Sequence, residues 1–204
     1  MLHEPTTAIT DFILGLEALI LALLLITGGA TFPSLPYWIA TIILLGVAAL
    51  LGGVAHGLAY RPLFILIYAS LSALMVTFLL ATLVDGFGPE LAGRLRWPVI
   101  GLAILFLLVA WRFPRHIQVY AVLEGIIMLG AFAVYLWLAL THALSGAGYI
   151  AAGIGTTLLA AVLFMRKVDF TFIWTFNHND VYHLVQMAGV LFFFLGLSVQ
   201  GDGV

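Results

Sequence analysis

AITDFILGLEALILALLLITGG, residues 8–29, is apolar at nearly every position, with Asp11 and Glu17 as its only charges. A helix needs about 20 such residues to cross the hydrocarbon of a bilayer, and this block supplies them. No basic segment precedes it, no small-residue cleavage site stands out, and six comparable blocks follow. It therefore reads as a membrane span and not as a removed signal peptide. The spans fall at 8–29, 36–60, 62–84, 97–113, 116–142, 147–165 and 180–200.

Each boundary has a chemical cause. Thr31-Phe-Pro-Ser-Leu-Pro36, Arg61-Pro62, Asp85-Gly-Phe-Gly-Pro89 and Arg112-Phe-Pro-Arg115 all carry proline, which lacks a donor and blocks the preceding helical turn. Ser145-Gly-Ala-Gly148 divides spans five and six, and Arg166-Lys-Val-Asp169 closes span six. No linker is long enough to separate domains, so residues 1–204 form one domain, an all-α bundle of seven transmembrane helices.

Composition agrees: 64% of residues are hydrophobic and 8% charged, against about 25% charged in ordinary soluble domains. Transmembrane strands would be roughly ten-residue alternating segments, and these blocks are twice that length. There is no cysteine, so disulfides and thiolate sites are excluded, and a net charge of −2 without a basic cluster argues against nucleic acid. Arg61, Arg112, Arg115, Arg166 and Lys167 lie on the side of the N-terminus, against Arg94 and Arg96 opposite. By the positive-inside rule the N-terminus is expected in the cytoplasm and the C-terminus outside. The expected location is the plasma (inner) membrane. Trp111 and Trp174 then mark the cytoplasmic boundary and Trp38 and Trp97 the outer one.

Ionisable residues inside a membrane are costly and usually face the bundle interior. Here they gather on the N-terminal side: Asp11 and Glu17 in span one, His56 late in span two, Glu124 early in span five, and Asn177 to His183 at the start of span seven. Opposite them, Asp85 and Glu90 read as loop residues and His142 as a span end. Glu17 lies roughly 13 Å deep at 1.5 Å per residue, too deep to snorkel, either as a structural hydrogen-bond donor or in a functional cavity. Asp11 reads as an acid favoured at a helix start by the macrodipole. His116, Tyr120 and Glu124 share a helical face, with His116 at the interface and Glu124 the member of interest.

Span two brings His56 within a small-xxx-small spacing, Gly53 to Gly57, that allows close helix approach. Span seven opens with Phe176-Asn-His-Asn-Asp-Val-Tyr-His183-Leu-Val-Gln186. An N-cap accounts for one of Asn177, Asn179 or Asp180 but not for two histidines and a glutamine as well. Asn179, His183 and Gln186 share a face, and Asp180 one turn before His183 is placed to orient a metal-bound imidazole.

These segments resemble the CREST superfamily of seven-helix membrane proteins, which includes alkaline ceramidases and the progestin and adipoQ receptors. Its members carry a zinc-binding histidine late in span two, matched by His56, and an H-x3-H pair at the start of span seven, whose second histidine is matched by His183. Gly52 stands where the family has a serine, Asn179 where it has the first histidine, and no acid occupies the start of span three. The resemblance implies a zinc-dependent hydrolase of a lipid amide or ester, with His56, His178 and His183 holding zinc and Asp180, Glu124 or Glu17 in the catalytic acid's place. The alternatives are a non-enzymatic bundle, receptor-like or part of a larger assembly, a haem protein using His56 and His183, and an ion-translocating protein using Glu17 and Glu124. Retinal is disfavoured because Lys167, the only lysine, lies at a span end. Expected partners are membrane lipids, with a membrane-protein partner or a second copy also compatible.

Overall fold

The computed structural model describes residues 3–112 and 117–201, the side chains of 117–121 excepted. Its helices are α1 (Pro5–Thr27), α2 (Leu35–Leu58), α3 (Phe64–Phe87), α4 (Pro89–Arg112), α5 (Ile117–Leu140), α6 (Ala147–Met165) and α7 (His178–Gly201). All seven contain a segment long and apolar enough to span a membrane. The chain is an all-α seven-helix bundle and an integral membrane protein. A two-stranded antiparallel hairpin, β1 (Phe170–Thr171) and β2 (Thr175–Phe176), joins α6 to α7.

The boundaries follow from backbone chemistry. Proline opens α1 and α4 at a position where its missing N–H costs nothing. Gly88, at φ +87°, ends α3 in a conformation that side chains resist. The fourth span starts earlier than the sequence suggests: α4 begins at Pro89 and runs through Pro98. Because α3 continues to Phe87, Asp85 belongs to a helix and not to a loop.

α1, α2, α3, α5, α6 and α7 close a ring, with α4 lying against α3 and barely reaching α5. Glycines set the tightest crossings. A Cβ on Gly15 of α1 would stand 3.0 Å from the carbonyl oxygen of Gly46 in α2, and one on Gly153 of α6 would stand 2.9 Å from that of Gly189 in α7. Such backbone proximity gives dispersion contacts that replace the hydrophobic drive missing in lipid. Leu14, Ala18, Ala49, Met128 and Val190 belong to the apolar core within the ring.

Towards the C-terminal end of the bundle the core contains a polar clasp. Asp85 Oδ2 accepts hydrogen bonds from Trp38 Nε1 at 3.2 Å and the Tyr135 hydroxyl at 2.6 Å, and Oδ1 accepts from Gln200 Nε2 at 3.4 Å. One carboxylate thereby joins α2, α3, α5 and α7. Trp38 is fully buried, its ring 5.6 Å from Phe78 and 5.4 Å from Phe193. It is not the boundary residue its position suggested, whereas Trp97, Trp111 and Trp174 are exposed as belt residues should be.

Removing the shared acceptor strands buried donors, so Asp85→Ala is expected to destabilise the bundle by about 1–3 kcal/mol. Exposed Glu90→Ala should stay within about 0.5 kcal/mol. Unfolding in mixed detergent micelles measures both, and equal midpoints would refute the clasp.

Candidate functional site

The start of α7 is built by a reciprocal cap. Asn177 Oδ1 accepts the backbone N–H of Asn179 at 2.8 Å and of Asp180 at 3.3 Å, while Asp180 Oδ2 accepts the N–H of Asn177 at 2.8 Å. This capping box satisfies donors that a helix start leaves free. It uses both Asn177 and Asp180, where the sequence suggested that a cap would account for one residue only. Asn177 Nδ2 also donates to Thr7 Oγ1 on α1 at 3.2 Å, fixing the two helix starts side by side.

One turn deeper, α1 grips His183 from both sides. His183 Nδ1 lies 3.0 Å from Thr10 Oγ1, and Nε2 lies 3.2 Å from Asp11 Oδ1. The Asp11 side chain is 6% exposed and that of His183 12%. Asp11 was readable from sequence only as an ordinary helix-start acid, but it is the imidazole's partner, in the orienting position suggested for Asp180. Gly52 makes room for it: a Cβ there would meet Asp11 Oδ2 at 3.0 Å. The neighbouring Gly53 allows the same approach, since its Cβ would stand 3.1 Å from the Ala8 carbonyl oxygen.

The hydrogens in this contact can be counted. Thr10 Oγ1 also lies 3.0 Å from the Thr7 carbonyl oxygen. If the hydroxyl donates to that carbonyl, His183 Nδ1–H donates to Thr10, and Nε2 faces Asp11 with one proton shared between them. If the hydroxyl turns to donate to Nδ1, Nε2–H donates to an Asp11 carboxylate. The two arrangements differ by one proton and need no heavy atom to move. Thr10 is buried, so it is no exposed nucleophile.

Glu4 Oε2 lies 2.5 Å from His56 Nδ1, tying α1 to the end of α2. Asp11 is close enough to Asp180 and Glu4, and His183 to His56, for their charges to interact. The Glu4–His56 and Asp11–His183 pairs, with the capping Asp180, form one polar cluster at the N-terminal end of the bundle. Glu17 is partly buried on α1, one heptad beyond Thr10. Asp11 Oδ2, Asp180 Oδ1 and Gln186 Oε1 are buried without a hydrogen-bond partner among the described residues. His116 lies outside the described residues, as does the Tyr120 side chain.

The three histidines expected to hold zinc are separated. The His178 ring lies tilted 5.3 Å from that of Phe164 and 3.8 Å from Asp169, while His56 faces Glu4 and His183 is engaged at both nitrogens. Among the described residues no group of three or more histidine and carboxylate side chains is arranged to hold a metal ion. The residues as placed do not fit the superfamily's three-histidine centre. The cause is local: Asn179, not a histidine, stands four residues before His183, and the five-residue spacing turns His178 towards Phe164 of α6.

Residues 6–201 match the model of a protein family described as a family of unknown function, DUF6962. No curated protein and no solved structure matches the chain.

A side chain at residue 52 should disturb the cluster only while Asp11 keeps its carboxyl group. Gly52→Ala is expected to destabilise the protein, and to do so much less in the Asp11→Ala background, with a coupling of about 0.5–3 kcal/mol. A double-mutant cycle in detergent reads this, and strict additivity would show that Gly52 does not seat Asp11.

Proposed function

We propose that this chain, which belongs to a family of unknown function, translocates protons, with Asp11 and His183 as the pair that takes up and releases the proton. One observation carries the reading: an imidazole buried in a membrane helix, held between a hydroxyl and a carboxyl group that can arrange their hydrogens in two ways. Ionisable residues are expensive within a membrane and mark ion pathways and proton relays. Glu4 and His56 stand on the approach from the N-terminal side, and the Tyr182 ring lies 5.6 Å from that of His183. Beyond them the core is apolar, so passage to the other face requires that core to open or admit water.

The basic residues put Arg61, Arg112, Arg166 and Lys167 with the N-terminus, which supports a cytoplasmic site and an external C-terminus in the plasma (inner) membrane. A zinc-dependent lipid hydrolase is the second reading. It is favoured by the presence of His56 and His183 in one cluster and weakened by the ligand geometry above.

The test is proton flux into vesicles that contain the purified protein and a pH-sensitive dye, driven by a potassium diffusion potential. The wild type is expected to exceed protein-free vesicles. Asp11→Asn and His183→Gln should fall to the protein-free rate, and Glu90→Gln should not. A wild type no faster than empty vesicles overturns the reading. Zinc near one per chain, lost in both His56→Ala and His183→Ala but kept in His142→Ala, would favour the hydrolase instead.

A further inference from the structure

Between α6 and α7 the chain makes a small hairpin whose apolar side chains point away from the protein. Phe170 pairs with Phe176 and Thr171 with Thr175 across the two strands, and the tip is closed by the Phe172 N–H donating to the Trp174 carbonyl at 3.2 Å. The Phe170 and Phe176 rings stack at 4.9 Å, with Trp174 6.0 Å from Phe176. Three consecutive large residues at the tip are bare: Phe172 is 81% exposed, Ile173 75% and Trp174 55%. Arg166 and Lys167 at the base are exposed as well.

We propose that this hairpin is a lipid-binding anchor: Phe172, Ile173 and Trp174 enter the boundary between headgroups and acyl chains, and Arg166 and Lys167 hold anionic headgroups. Three arguments favour lipid over a protein partner. The first is reach. Four residues separate the hairpin from α6, and its other end meets the cap of α7. Each strand has two residues, so at about 3.3 Å per residue the tip lies roughly 7 Å from its base. The headgroup layer is about 5–8 Å thick on each face of a bilayer, which keeps the tip inside it. The second is composition: an aromatic ring with a polar edge beside bulky apolar groups suits the interface. The third is charge, because two cations at the base, set against the single exposed acid Asp169, leave a net positive charge that complements anionic lipid and adds to apolar insertion. The anchor is independent of the proton reading, and it acts on the same helix start, since β2 leads straight into Asn177.

The chain has no cysteine, so Ile173→Cys carries a unique spin label. In vesicles of phosphatidylcholine and phosphatidylglycerol, its collision rate with oxygen should exceed that with a water-soluble nickel chelate. A label at Glu90→Cys, on the opposite face, should show the reverse. The Ile173 label should sit deeper than in phosphatidylcholine alone, and Arg166→Gln with Lys167→Gln should abolish that difference. Detergent unfolding of each labelled protein checks that it is folded. If the chelate reaches the Ile173 label as freely as the Glu90 label, the hairpin is in water and the anchor is refuted. A label shielded from both reagents refutes it too and identifies a protein contact. Equal depth in the two lipids overturns the role of Arg166 and Lys167.

Discussion

Inside the hydrocarbon a polar side chain has no water to turn to, so its partner must come from its own helix or from a neighbouring one. This requirement governs both ends of the bundle. At one end Asp85 gathers donors from three other helices. At the other, α1 supplies Thr7 and Thr10 to α7, and Glu4 to α2. Each bond fixes one helix against another along its axis. Glycine crossings allow the approach, and the polar contacts choose the register.

The two polar ends differ in a way that bears on function. Each Asp85 oxygen has a donor, which is the pattern of a clasp. The N-terminal cluster leaves Asp11 Oδ2, Asp180 Oδ1 and Gln186 Oε1 buried without partners among the described residues, and the clasp leaves Gln200 Oε1 so as well; what sets the N-terminal end apart is that its orphaned Asp11 oxygen belongs to the carboxyl group that faces His183. Unspent hydrogen-bonding capacity beside a histidine supports the proposed proton exchange, which would give that capacity a use.

Much of this was legible in the sequence, and what was not has a common cause. Block length and proline marked the spans, and sequence-distant acids and histidines pointed to the end of the bundle where Asp11 meets His183. Asp85 was read as a loop residue because a glycine and proline follow it, yet α3 persists to Phe87. Trp38 was read as a belt residue from its depth alone, since no periodicity reveals that its indole N–H meets a carboxylate on the next helix. Asp11 looked like a helix-start acid because the macrodipole is a local explanation and His183 is remote in sequence. The N-x-x-D capping box at Asn177 and Asp180 was readable, but the histidines around it drew attention to metal chemistry.

Gly52 shows why such errors are linked. Compared with the superfamily it is a missing serine, a loss of one polar group from the span-two motif. In the bundle the missing side chain is what admits the Asp11 carboxyl group, and that group occupies the nitrogen of His183 that a metal would need. A carboxylate on span one takes over the imidazole, and Thr10 takes its other nitrogen. Restoring histidine at residue 179 alone would leave both nitrogens of His183 engaged, so a metal centre would also require Asp11 to withdraw. The identity of residue 52 therefore helps determine whether His183 shares a proton or is free to bind a metal.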